Sequence, residues 1–130
     1  MILDSSALVA ILKGEPEAAA FKAALLSARE VWLSAASYLE TCIVVDGYKS
    51  AVLRARLDEV LTETQTQITP FTAEQAQIAR QAYRDYGRGS GHAANLNFGD
   101  CFAYALARDK RQPLLYKGDD FRHTDLRSAI

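Results

Sequence analysis

Several acidic residues in this sequence occupy positions that solvation alone does not explain. Asp4 ends the apolar run at the start of the chain, and Asp119 and Asp120 closely follow another apolar run. On a helix, Glu40 and Asp100 would each have small or apolar neighbours three and four positions away. An ionised carboxylate is costly to bury alone, so each inward-facing acid needs a cation, hydrogen bonds or a raised pKa.

Taken one at a time, these acids have a structural explanation that stays open. Asp4 could cap the helix that follows it, and Asp100 lies in a first helical turn, where the helix dipole favours a carboxylate. Three or more acids at one end of a sheet would repel one another, and no buried Lys or Arg is expected at matching positions. We therefore favour a Mg²⁺ site, because Mg²⁺ binds one or two carboxylates together with water. Zinc is disfavoured, because the two His and two Cys residues show no ligand spacing.

An acidic Mg²⁺ pocket suits phosphodiester hydrolysis, because the cation activates a water molecule and offsets repulsion between the carboxylates and the phosphate. A basic rim would hold the nucleic acid strand. Arg84 and Arg88 are four residues apart, and Lys117 precedes the last acids. Residues 80–130 carry nine Lys or Arg against six Asp or Glu, whereas the net charge of the whole chain is −1. An ordinary solvated face is the alternative explanation for this basic portion.

Apolar runs alternate with helical patterns along the chain, which predicts an α/β domain with a central, mainly parallel sheet of four or five short strands flanked by helices. The predicted strands are residues 1–4, 31–33, 67–68 and 114–116. A first, short helix is predicted to begin at Ser5 or Ser6. Five further helices are predicted over residues 16–28, 35–46, 51–64, 72–86 and 97–108. In such sheets, sites form where strand ends meet helix starts, which is where the singled-out acids lie or adjoin.

The length and composition restrict the class of protein. The chain has 130 residues, 49% hydrophobic and 24% charged, which fits one domain over 1–130 and excludes a disordered tail. No apolar run is long enough for a membrane span, and the start, Met-Ile-Leu-Asp, has an acid where a signal peptide would carry basic residues. Cys42 and Cys101 lie in apolar patterns typical of reduced thiols. We expect a soluble, cytoplasmic protein without membrane contact.

The segments that carry these acids resemble those of PIN-domain ribonucleases, in particular the VapC-type toxins of bacterial toxin–antitoxin pairs. The resemblance covers nearly the whole chain. Its segments are MILDSSALVAIL at the start, SAASYLE at 34–40, LNFGDCFAYA at 96–105 and LLYKGDDF at 114–121. The first and third segments are specific in combination.

The resemblance implies an endoribonuclease that depends on Mg²⁺ or Mn²⁺, forms a homodimer and is neutralised by a VapB-type antitoxin whose tail covers the active site. It implies that Asp4 and Asp100 are the main metal ligands, that Glu40 is a further ligand or activates the attacking water, and that Ser6 supports Asp4. Asp119 or Asp120 would complete the acidic set, and the family pattern favours Asp120.

Two further interpretations belong to other classes of protein. A catalytically silent PIN-like module would bind a protein partner and cleave nothing; it is disfavoured because the acidic set is complete. A phospho-acceptor receiver-like domain needs an Asp at the end of a middle strand, and the candidate strand ends at Leu33 and Ser34 without one. The glycine-rich segment 87–91 lacks the Gly-Lys-Ser/Thr ending of a phosphate-binding loop, so we interpret it as a flexible loop.

Overall fold

The computed structural model describes all 130 residues and contains one parallel sheet of four short strands. The strands are β1 (Ile2–Leu3), β2 (Trp32–Ser34), β3 (Gln67–Thr69) and β4 (Leu114–Leu115). Their spatial order is β3-β2-β1-β4, and each neighbouring pair is parallel. The predicted fold class is confirmed.

Six α-helices connect and cover the strands: α1 (Ser5–Lys13), α2 (Ala18–Ser27), α3 (Ala35–Gly47), α4 (Ala51–Glu63), α5 (Ala73–Tyr86) and α6 (Asp100–Lys110). A short 3₁₀ helix, Asp120–His123, follows β4. Thr72 caps the start of α5, since its side chain accepts a hydrogen bond from the backbone N–H of Gln75. None of the helices has the length and apolar character needed to cross a bilayer.

The start of α6 differs from the prediction, which placed it at residue 97 or 98. The regular helix begins at Asp100, and Gly99 is its N-cap residue. The Asn97 Oδ1 accepts a hydrogen bond from the backbone N–H of Asp100, and the Asp100 Oδ2 accepts one from the backbone N–H of Asn97. This reciprocal pair holds the intervening turn and places the Asp100 carboxylate at the N-terminus of the helix.

The core lies on both faces of the sheet, because neighbouring strand residues point to opposite sides. Leu3 and Leu115 pack with helices α1–α4 on one face. Ile2 and Leu114 pack with α5 and α6 on the other. All four side chains are fully buried. These strands are therefore apolar throughout, and polar chemistry is confined to the residues that follow them.

The order of the strands produces one reversal in the sheet. The chain moves outward from β1 to β2 to β3 and then returns to place β4 on the free side of β1. Such a reversal leaves a crevice at the carboxyl ends of the two strands beside it. Asp4 directly follows β1, and the segment after β4 leads to Asp120.

Candidate active site

A cavity of about 370 Å³ lies at the carboxyl ends of β1 and β4. Four of the acids singled out in the sequence line it, although they come from distant parts of the chain: Asp4, Glu40, Asp100 and Asp120. Its other lining residues are Ser5, Ser6, Val9, Glu15, Val44, Asn97, Lys117 and Phe121. The cavity is therefore dominated by oxygen donors.

Asp4 is the most deeply buried of these acids, with 2% of its surface exposed. Its Oδ2 caps α1 by accepting the backbone N–H of Ser6 at 2.9 Å, and it also accepts the Ser6 hydroxyl. The same hydroxyl oxygen accepts the backbone N–H of Lys117 at 2.9 Å. Ser6 thus fixes Asp4 and joins it to the segment after β4.

Glu40 reaches the cavity from the second turn of α3. Its Oε2 accepts the hydroxyl of Ser5 at 3.1 Å. The expectation that its helical neighbours form a buried stripe is wrong in part, because Ile43 is 64% exposed and Val44 also remains exposed. Glu40 is half-buried because it lines the cavity and an adjoining apolar groove, not because α3 is covered on that side.

Burial dominates the electrostatics of the site. It raises the pKa of Asp4 to about 6 even though the hydrogen bonds from Ser6 oppose the shift, and Glu40 raises it further. Burial also raises the pKa of Asp100 to about 7, and Asp4, Asp120 and Glu40 add to the effect. No ion pair in the structure includes any of these four acids. The four carboxyl groups therefore share one cavity without an ion-pair partner.

The two adjacent acids after β4 separate in the structure. Asp120 lines the cavity, whereas the side chain of Asp119 is 82% exposed and faces Arg122 at 3.8 Å. Asp120 is therefore the acid of this pair that joins the set.

Of the three residues of the predicted basic rim, only Lys117 lies at the cavity. Lys117 lines the cavity, but its ammonium group forms ion pairs with Glu15 and with Glu17, at 3.1 Å for the second. Arg84, on α5, and Arg88, just after it, are exposed and form no ion pair, and neither lines the cavity. An RNA-binding role for these three residues stays a prediction.

Three residues outside the predicted site set organise the cavity, although Ser5 and Asn97 lie in segments that carried the resemblance. Ser5 holds Glu40, Asn97 holds Asp100, and Glu15 holds Lys117. Ser5 and Asn97 carry a recognisable signal, because Ser and Asn at helix starts commonly hydrogen-bond nearby groups. Glu15 carries none, since its position in sequence indicates only a first helical turn.

The donor set fits a hard divalent cation held largely by water. No cluster of three or more His, Cys, Asp or Glu side chains is drawn together tightly enough to hold a metal ion by itself. Two carboxylates beside a cavity with room for water match the way Mg²⁺ is bound, since it keeps several of its waters. The absence of His and Cys from the lining argues against zinc.

The fold and this acidic cavity define a class of protein. The family model described as "PIN domain" matches residues 1–126, so the chain belongs to the PIN-domain family.

Relatives within the family are more specific. The chain is 53% identical to Ribonuclease VapC28 of Mycobacterium tuberculosis, covering 100% of this chain and 98% of the relative. It is 46% identical to Ribonuclease VapC42 of the same species over 99% of this chain and 98% of the relative. This protein is therefore a VapC-type PIN-domain protein.

Solved structures share the fold at low sequence identity. VapC20 of Mycobacterium tuberculosis, described as a sarcin-ricin loop cleaving toxin, aligns with a TM-score of 0.73 at 18% identity, covering 96% of this chain and 95% of its own. A chain from a toxin–antitoxin complex of Klebsiella pneumoniae aligns with a TM-score of 0.69 at 18% identity, covering 95% and 92%.

Proposed function

We propose that this protein is a Mg²⁺-dependent endoribonuclease and the toxin component of a type II toxin–antitoxin system, with Mn²⁺ as an alternative cofactor. One observation carries the proposal. Asp4, Glu40, Asp100 and Asp120 line one cavity, and none of them forms an ion pair, because Lys117, which also lines it, pairs with Glu15 and Glu17. The relatives named ribonucleases support RNA as the substrate.

Asp4 and Asp100 would hold the cation through their carboxylate oxygens. When bound, the cation supplies a water of lowered pKa and stabilises negative charge at the phosphate. Glu40 would accept the proton of the attacking water, at Oε1 because Oε2 already accepts the Ser5 hydroxyl and Oε1 has no hydrogen bond within the protein. Ser6 keeps Asp4 in one orientation, and Asp120 adds negative charge that favours a cation in the cavity.

The proposed partners are a VapB-type antitoxin and a second copy of this chain. The toxin–antitoxin complex with the same fold and the names of the VapC relatives support the first. Large apolar side chains beside the cavity are suited to protein contacts: Phe98 is 77% exposed, and Leu39 and Ile43 are exposed on α3. We place the protein in the cytoplasm, where its RNA substrate is found.

Cleavage of a mixed RNA pool by purified protein tests this function. We expect cuts with Mg²⁺, none with EDTA, and recovery when excess Mg²⁺ is restored. Mapping the ends would show whether the cuts are internal, as an endoribonuclease requires. Absence of cleavage with either Mg²⁺ or Mn²⁺, combined with tight binding to the antitoxin, would instead support the catalytically silent interaction module.

A further inference from the structure

We propose that Gly99 is a positioning residue for Glu40, and that its lack of a side chain is what allows the Glu40 carboxylate to stand against the start of α6. This inference rests on the proposed function, in which Glu40 accepts the proton of the attacking water. It adds a residue that does not line the acidic cavity itself.

The backbone does not require glycine at this position. Gly99 has φ −63° and ψ −40°, which is ordinary right-handed helical geometry open to any L residue. Gly14, by contrast, ends α1 with φ 65°, where glycine relieves strain. The reason for glycine at 99 must therefore lie in what surrounds it.

The Glu40 side chain supplies that reason. A Cβ atom added at residue 99 would lie 2.7 Å from the Glu40 Oε1, 2.9 Å from Oε2 and 3.0 Å from Cδ. Ordinary contact begins at 3.4 Å, so the carboxylate would have to retreat by about half an ångström or more. All three crowded atoms belong to Glu40 and none to the backbone.

Displacing the Glu40 carboxylate should affect stability and catalysis differently. A carboxylate at the end of a flexible side chain can shift at low cost in stability. The same shift disturbs the 3.1 Å hydrogen bond from Ser5 and moves Oε1, the proposed proton acceptor. Because a misplacement of about 1 Å in a reacting group can cost about 100-fold in rate, the damage falls on catalysis.

The primary experiment compares Gly99→Ala with Gly47→Ala in the full chain. Gly47 ends α3, and a Cβ there would meet nothing within 4 Å, so its variant is a matched control. We expect Gly99→Ala to lower kcat by about 10- to 100-fold with little change in KM. Its thermal midpoint should stay within about 3 °C of that of the unaltered protein. Unchanged kcat, or a large fall in the midpoint, would overturn the inference.

A second comparison tests whether Gly99 acts through Glu40. Glu40→Asp keeps a carboxylate but ends one methylene earlier, away from residue 99. Gly99→Ala should therefore reduce kcat much less in the Glu40→Asp background than in the unaltered protein. An equal reduction in both backgrounds would mean that Gly99 acts elsewhere.

A third variant separates this inference from the proposed function. Glu40→Ala should remove most Mg²⁺-dependent cleavage. If it leaves cleavage intact, the proton-acceptor role fails and the inference fails with it. If Glu40→Ala abolishes cleavage while Gly99→Ala has no effect, only the inference fails.

Discussion

The hydroxyl of Ser6 donates a hydrogen bond to the Oδ2 of Asp4 and simultaneously accepts the backbone N–H of Lys117. Asp4 follows β1, and Lys117 follows β4, so one side chain connects the two strands that border the crevice. The most buried acid of the site is thus oriented by its own helix and by the returning end of the chain.

Replacing Ser6 by Ala should weaken both the fold and the site. It removes a donor from a buried carboxylate and leaves a backbone N–H without its acceptor, which typically costs about 1–3 kcal/mol. Urea unfolding measures this loss. Ser5→Ala is the comparison, because Ser5 donates only to the half-buried Glu40 and should cost less than about 1 kcal/mol. Equal stabilities for the two variants would contradict the connecting role of Ser6.

Replacing Asp4 by Asn should abolish RNA cleavage and leave the fold intact. Asn caps helices about as well as Asp, so α1 keeps its start, while the negative charge that would hold the cation is lost. We expect a loss of at least about 100-fold in the rate of cleavage with Mg²⁺, measured beside circular dichroism of the same sample. Asp58→Asn, on exposed α4, is the matched control and should cleave normally. Full activity of Asp4→Asn would refute the assignment.

The raised pKa of Asp100 predicts how pH affects stability without metal. The pKa of this carboxyl is about 7 in the folded protein, whereas its ordinary value is 3.8. Between these two pH values the folded state keeps a proton that the unfolded state has released. Stability from this group therefore falls as pH rises across that window. Asp100→Asn cannot ionise, so its stability relative to the unaltered protein should improve from pH 5 to pH 8 in EDTA. If the stability of Asp100→Asn relative to the unaltered protein stays constant or decreases as the pH rises, the folded protein stabilises the ionised Asp100 carboxylate, and the prediction is wrong.

Reversing charge at Arg84 and Arg88 should weaken RNA binding and flatten its salt dependence. Each contact to a phosphate releases counterions, so losing two contacts lowers the slope of log affinity against log salt by roughly 1–2. Binding is measured in the Asp4→Asn background, so that the RNA survives. Arg56→Glu is the control, because Arg56 is an exposed residue of α4 that forms no ion pair. An unaltered slope for the double variant would exclude this part of the rim.

The sequence predicted the fold well because its apolar strands and capped helices are local patterns. The sequence also indicated Asp4 and Asp100 as candidate site residues, because an acid at the end of an apolar strand or at the start of an apolar helix can be recognised from the sequence alone. Element ends were less accurate, as at α6, where the paired bonds between Asn97 and Asp100 set the boundary.

Other features depended on tertiary contacts that no spacing reveals. Glu40 was singled out because its helical neighbours are apolar, but Ile43 and Val44 among them are exposed. Glu40 lies in the cavity because α3 packs beside the start of α6. Lys117 was predicted as part of the basic rim, yet Glu15, 102 residues earlier in the chain, forms an ion pair with it. Pairings between distant segments are fixed by the fold as a whole.

The central claim is that these carboxylates share a divalent cation, and Mn²⁺ located by anomalous scattering in crystals of the protein tests it most directly. We expect a single strong peak within bonding distance of Asp4 and Asp100, inside the cavity that Glu40 and Asp120 also line. The peak should vanish in Asp4→Asn crystals treated in the same way. A fully occupied Mn²⁺ elsewhere on the protein, with none in this cavity, would contradict it.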